Sequence, residues 1–198
     1  DGFCLWYSEH TRYTVESSLD WETENRDIVG MLSEECAKQG LKFGIAISPL
    51  DRNSELFGSG EEYNEYFKSL LREVLTNYGD IFLAWFDVPM TLTAEQSQRI
   101  YDMVKEYQPD CLINSRIGNG AYDYVSLGDN EYPTEFKEET DGDMNRIDGF
   151  KYSPYGLYET AGTLNSSWGY KYYDQNWIKP EEIAERRARL NGLGINYL

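Results

Sequence analysis

The sequence predicts an α/β fold, a (β/α)8 TIM-like barrel truncated at both ends, and three observations carry that reading. Helical and strand periodicities alternate in three successive strand–helix–strand steps, each roughly 30 to 40 residues long, as parallel strands joined by crossover helices require. The run Ile81-Phe82-Leu83-Ala84-Trp85-Phe86 is apolar throughout and ends on Asp87, as a buried parallel strand does when it reaches a site at its C-terminal end. An open dinucleotide-binding sheet would place a glycine-rich phosphate turn after its first strand, and Gly58-Ser59-Gly60 and Gly118-Asn119-Gly120 lack that context.

The elements follow in order. Ile28, Leu32 and Cys36 recur on one helical face after Arg26-Asp27, and Gly40 ends that helix. Lys42 to Ser48 reads as a strand stopped by Pro49. The clearest helix places Tyr63, Tyr66, Phe67, Leu70, Leu71, Val74, Leu75 and Tyr78 at spacings of three and four, and Gly79 closes it before the strand at 81. A third helix spans about Thr93 to Gln108, with Ile100, Met103, Val104 and Tyr107 on one face and Pro109 beyond it; Cys111 to Asn114 is the next strand. From Arg116 to about Asn176 no helical period is visible. Gly, Asp, Asn and Tyr dominate there, and the acidic run from Glu135 to Asp143 reads as a solvated loop. A last helix covers Glu181 to Leu190, and a strand begins near Gly194.

Composition narrows the function. The 198 residues suffice for one sizeable core, and 35 Asp and Glu against 18 Lys and Arg argue against nucleic acid or an anionic membrane surface as partner. No apolar stretch reaches the length of about 18 residues that a membrane-spanning helix needs, so no membrane insertion is expected. Cys4, Cys36 and Cys111 are widely spaced in apolar contexts and read as three buried free thiols. A single histidine, His10, read as an exposed loop residue, leaves no metal ligand set, so neither metal nor cofactor is expected.

Side chains alternate along a strand, so Leu83, Trp85 and Asp87 share a face and bring an indole beside a carboxylate. That pairing suits a sugar ring, which takes a stacking platform and a charge. The plainer alternative is that Asp87 caps a helix or closes a turn before Pro89. Trp6 and Trp168 read as packing residues.

The segments DGFCLWYS (1–8), YTVESS (13–18), RDIV (26–29), LKFGIAISPLDR (41–52), EYNEYF (62–67), LTNYGDIFLAWFD (75–87), QPDCLINSRIGNG (108–120), GDNEYP (128–133) and YETAGTLNSSWGYKYYDQNW (158–177) together resemble the α-L-fucosidases of glycoside hydrolase family 29. The resemblance runs in order over nearly the whole chain; the WFD strand end, the SRIG segment and the WGY segment are specific jointly, not singly. It implies that residues 1–198 are part of a catalytic barrel domain whose first strands and C-terminal β-sandwich are absent, in a retaining enzyme that releases terminal α-L-fucose from glycans. Retention needs an ionised carboxylate that attacks the anomeric carbon and a protonated one about 5 to 5.5 Å away that assists the leaving oxygen. Asp87 matches the family nucleophile. Glu131, in GDNEYP, is the first choice for the acid, Glu159, in YET, the second, and Asp129 a third; Glu159 otherwise binds substrate. Arg116 resembles a substrate-binding arginine, and Trp85 is expected to floor the sugar pocket.

The chain also departs from the family pattern. Members usually carry a His-His pair just ahead of the DGF segment, Leu50 stands where SPWDR-like relatives have Trp, and Ala46 and Ile47 replace tyrosines seen in some members. Two rival classes remain, a barrel glycosidase of other specificity such as a galactosidase, and an inactive glycan-binding relative. The resemblance places the enzyme in periplasm, secretion or lysosome.

Overall fold

The structure, a computed structural model, describes residues 2–17, 27–89, 92–118, 120–136 and 152–198. The acidic run expected to be a solvated loop lies, beyond Phe136, outside the described residues, as does Asn119 of the Gly118–Gly120 stretch. The chain divides into two compact units, 1–122 and 123–198, each with its own parallel sheet.

In the first unit, helices α1 (Ile28–Gln39), α2 (Glu61–Asn77) and α3 (Ala94–Tyr107) alternate with strands β1 (Gly44–Ile47), β2 (Leu83–Phe86) and β3 (Leu112–Ile113). The strands pair in parallel in the order β1-β2-β3, with Gly44 opposite Leu83 and Leu83 opposite Leu112. The expected strand–helix order is therefore present. Helix α2 buries Tyr63, Phe67, Leu70, Leu71, Val74 and Leu75, and α3 buries Ile100, Met103 and Val104. Apart from Tyr63, both stripes pack with Ala84 and Phe86 of β2 and Ile113 of β3 in one core. Thr93 and Gln96 close α3 with a reciprocal capping box, which defines where the chain turns back after β2. Gln108 ties the far ends together: its amide donates to the carbonyls of Leu75 and Gly79 and accepts from the N–H of Ile81. Leu71 is fully buried, so Leu71→Ala is expected to cost about 2 to 5 kcal/mol in a denaturant titration, because the rigid sheet beneath it cannot collapse into the void.

Helix α1 departs from expectation. Asp27 caps it by accepting from the N–H of Gly30 at 2.8 Å, and Gly40 ends it in the left-handed region at φ 67°. The stripe of Ile28, Leu32 and Cys36 is nevertheless not its buried face: Val29 is buried, while Leu32 is 55% exposed. Periodicity locates an apolar stripe but not what covers it, and Ile28 and Leu32 border an open cleft of about 500 Å³ together with Phe43, Ile45 and Trp6. Cys36 is accordingly half-exposed, not buried as expected. Cys4, by contrast, is 2% exposed, and burial, reinforced by the charges of Glu73 and Asp51, pushes its thiol up to about 12. Alkylation by iodoacetamide at pH 8, mapped by mass spectrometry, is therefore expected to label Cys36 well ahead of Cys4.

The second unit holds β4 (Val125–Ser126), β5 (Tyr158–Thr160), helix α4 (Pro180–Gly192) and β6 (Ile195–Tyr197), with the strands parallel in the order β4-β5-β6. Strands β4 and β5 fall where no regular element was expected. Two or three residues are too few to show a period of two, and their pairing is fixed by backbone bonds such as Val125 N–H to Leu157 C=O and Leu127 N–H to Glu159 C=O. Leu190 of α4 and Ile195 of β6 are buried beside them. Trp168, expected to pack, is 61% exposed. Its loop is held by polar bonds, Ser167 Oγ to Asp174 Oδ2 at 2.6 Å and Asn176 Nδ2 to Ser166 Oγ at 3.1 Å, which leave Tyr170, Tyr172, Tyr173 and Trp177 facing outward as well. Trp6 is buried, donating to Glu73, and His10 is exposed.

Candidate active site

Strand β2 ends the way its sequence implies. Ala84 and Phe86 are fully buried against α2 and α3, whereas Leu83, Trp85 and Asp87 alternate onto the other, half-buried face. The apolar run suggests a strand covered on both faces; among the described residues the helix-covered face is sealed and the other is half-buried.

Three features fix the end of the strand. Asn114, fully buried just after β3, accepts from the N–H of Phe86 and donates to its carbonyl, each at 2.9 Å, so one amide side chain extends the sheet where backbone pairing stops. Ser48, just after β1, donates its hydroxyl to the carbonyl of Asp87 at 2.9 Å. Val88 then takes φ 53°, a conformation that costs a β-branched residue on the order of 1 to 3 kcal/mol and recurs at functional sites. The strand end is thus bent sharply directly after the carboxylate.

Arg116 lies in a single 3-10 turn, Ser115–Ile117, that follows Asn114. Its Nη1 stands 3.7 Å from Asp87 Oδ1, an ion-pair distance beyond hydrogen-bond range, and its guanidinium lies 4.9 Å from the centroid of the Trp85 ring. Arg116 is 17% exposed and Asp87 42%, so the cation is sheltered while the carboxylate stays accessible. Carboxylate, guanidinium and indole share one face, and all three were expected from the sequence. Asn114, Ser48 and the strain at Val88 were not; a polar side chain closing the apolar strand Cys111 to Ile113 was the one available signal.

Glu131 and Glu159 belong to the second unit. Glu159 lies on β5, opposite Ser126 of β4 and Asn196 of β6, and is 7% exposed, a buried carboxyl in mid-sheet. Glu131 sits in the turn after β4, less enclosed. Its Oε2 accepts from the N–H of Gly128 at 3.1 Å, its own N–H donates to the Gly128 carbonyl, and its carbonyl accepts from Thr160 Oγ1 at 2.6 Å. A methyl group at Gly128 would stand 2.5 Å from the Glu131 carboxyl carbon, so this close approach requires glycine. Gly128→Ala is expected to turn the Glu131 carboxylate out of its bond, visible in a crystal structure of the variant, with little change in melting temperature. Asp129 is exposed on the same turn. Among the described residues, no cluster of His, Cys, Asp and Glu could hold a metal ion, and no helix is long and apolar enough to cross a membrane.

A parallel α/β fold thus places a carboxylate at a strand end, paired with an arginine and flanked by a tryptophan. The family model "Alpha-L-fucosidase" matches residues 1–198, and the chain belongs to the α-L-fucosidase family. It is 43% identical to α-L-fucosidase AlfC from Lactobacillus casei, solved with α-L-fucose, with a TM-score of 0.78, and it covers 64% of that chain with all of its own length. A form of AlfC solved with Fucα(1,6)GlcNAc is 41% identical, with a TM-score of 0.77 over 63% of that chain. Alpha-L-fucosidase 1 of Arabidopsis thaliana is 35% identical over 122 residues, 60% of this chain and 24% of the plant protein. The chain therefore spans just under two thirds of the solved relatives and a quarter of the plant one.

Proposed function

We propose that this chain supplies the nucleophile-bearing part of the catalytic (β/α)8 barrel of a retaining exo-α-L-fucosidase. The observation that carries the reading is the Asp87, Arg116 and Trp85 cluster at the C-terminal end of β2, in a chain of this family. In a barrel the half-buried face of β2 turns inward, and the edges β1 and β3 pair with further strands.

Asp87 attacks the anomeric carbon as the carboxylate. The bond from that carbon to the leaving oxygen breaks while a protonated carboxyl, assigned to Glu131, donates its proton to that oxygen. Water, deprotonated by the same group, then releases fucose with retained configuration. Arg116 is an electrostatic partner for the ionised form of Asp87 and a paired donor toward sugar hydroxyls. Trp85 offers its ring to the apolar face of the sugar. Glu159, buried on β5, is assigned to substrate binding, and the chemistry uses no cofactor. The substrate class is a fucosylated glycan, in keeping with the ligands bound by AlfC, and such glycans put the enzyme outside the cytosol. The test is hydrolysis by the full-length protein of aryl α-L-fucoside beside aryl galactoside. A fucoside preference of at least about 100-fold in kcat/KM, some 2.7 kcal/mol, is expected. Equal or reversed preference would favour a glycosidase of other specificity, and binding without turnover an inactive relative.

A further inference from the structure

The turn that carries Glu131 is braced from the far side of the second unit. Helix α4 presents Arg186, 12% exposed, whose guanidinium lies 3.8 Å from the centroid of the Tyr132 ring. Arg186 is itself held by Glu182 one turn back, at 2.9 Å, and reaches the Tyr197 hydroxyl of β6 at 3.3 Å. Tyr197 in turn meets the Tyr132 ring edge-on, with centroids 5.8 Å apart. Held between these two groups, the Tyr132 hydroxyl donates to Asn130 Oδ1 at 2.8 Å. The same oxygen accepts from the N–H of Thr163 at 2.9 Å, and the N–H of Asn130 donates to the Ala161 carbonyl. Asn130 is left-handed at φ 59°, a conformation asparagine tolerates when its side chain is bonded locally. The ring fits only because residue 162 is glycine, since a methyl group there would stand 2.0 Å from the Tyr132 hydroxyl. Both neighbours of Glu131 are thus pinned, Asn130 by the chain after β5 and Tyr132 by α4 and β6.

We propose that Arg186 is a positioning residue for the reaction, acting through Tyr132 and Asn130 to hold the 128–132 turn so that Glu131 is presented as the proton donor. The proposal rests on the assignment of Glu131 as acid. Its signature is selectivity for the leaving group. A 2,4-dinitrophenolate departs without a proton, whereas a poor leaving group such as phenolate needs one. In the full-length protein, Arg186→Met is expected to lower kcat/KM for phenyl α-L-fucoside by about 10-fold to 100-fold, as a displaced catalytic group does, and for the 2,4-dinitrophenyl fucoside by less than about 3-fold. Tyr132→Phe keeps the ring over the guanidinium and removes the hydroxyl that bonds Asn130 and interacts with Tyr197 and Arg186, so it tests the same chain of contacts with less risk to folding. It should show the same selectivity in smaller measure.

Equal losses on both substrates, or none on either, in both variants would overturn the proposal and leave Arg186 a packing residue. Glu131→Gln, assayed alongside, separates the two failures. If it is selective while the Arg186 and Tyr132 variants are not, only the positioning role fails. If it is not selective, the acid assignment falls and the proposal with it.

Discussion

Asp87→Ala is expected to lower kcat on aryl α-L-fucoside on the order of 10⁴-fold or more, because on the proposed mechanism it removes the atom that forms the covalent intermediate and leaves only binding and acid assistance. Stability should hardly change. The Asp87 carboxylate is substantially exposed, and the bond that anchors residue 87 runs from Ser48 to its carbonyl, which alanine keeps. A melting temperature near that of the wild type beside near-complete loss of turnover separates a chemical role from a structural one. A substitution this exposed ordinarily moves stability by about 0.5 kcal/mol or less.

Asn114→Ala should act in the opposite order, on stability first and on activity through it. The change strands the N–H and C=O of Phe86 in a fully buried environment. Each such group costs about 1 to 3 kcal/mol, so a loss of roughly 2 to 5 kcal/mol is expected in a denaturant titration. Because Phe86 immediately precedes Asp87, the relaxed strand end should also displace the carboxylate. A fall in kcat of about 10-fold to 100-fold is expected even below the unfolding transition. Asn114→Asp is informative beside it: the carboxylate still accepts from the Phe86 N–H but faces its carbonyl without a proton to donate, so it should recover little of the loss. Full recovery would mean that the donated bond to the Phe86 carbonyl contributes nothing.

The first unit was legible because its signals are long. Seventeen residues of α2 repeat the apolar stripe often enough that Tyr63 to Leu75 could be assigned to the core, and α3 adds a capping box that marks its first turn. The uninterrupted run into Asp87 marked both the strand and the carboxylate at its end. Helix α1 shows the limit: Leu32 belongs to a correct stripe on a correct helix but borders a cleft, and sequence carries no record of which partner covers a face. In the second unit the strands are two and three residues long, too short to repeat a period of two, and their parallel pairing depends on residues some thirty positions apart. Glu159 shows the consequence. It reads as one more acid in a polar stretch, yet it lies buried in mid-sheet, because Leu127 and Asn196 hold the strand on either side through the Glu159 and Tyr158 carbonyls. The bracing of Tyr132 by Arg186 joins residues 54 positions apart and left no local trace in the sequence.

The central claim, that Asp87 is the nucleophile of a retaining fucosidase, is tested most directly by chemical rescue. The full-length Asp87→Ala protein is incubated with 4-nitrophenyl α-L-fucoside and sodium azide, and the product is examined by NMR. Azide fits the space left by the carboxylate and attacks the anomeric carbon from the same side, so the account predicts restored release of 4-nitrophenol and a β-L-fucosyl azide of inverted configuration. Wild-type rates in the variant without azide, or a fucosyl azide of retained configuration, would contradict it.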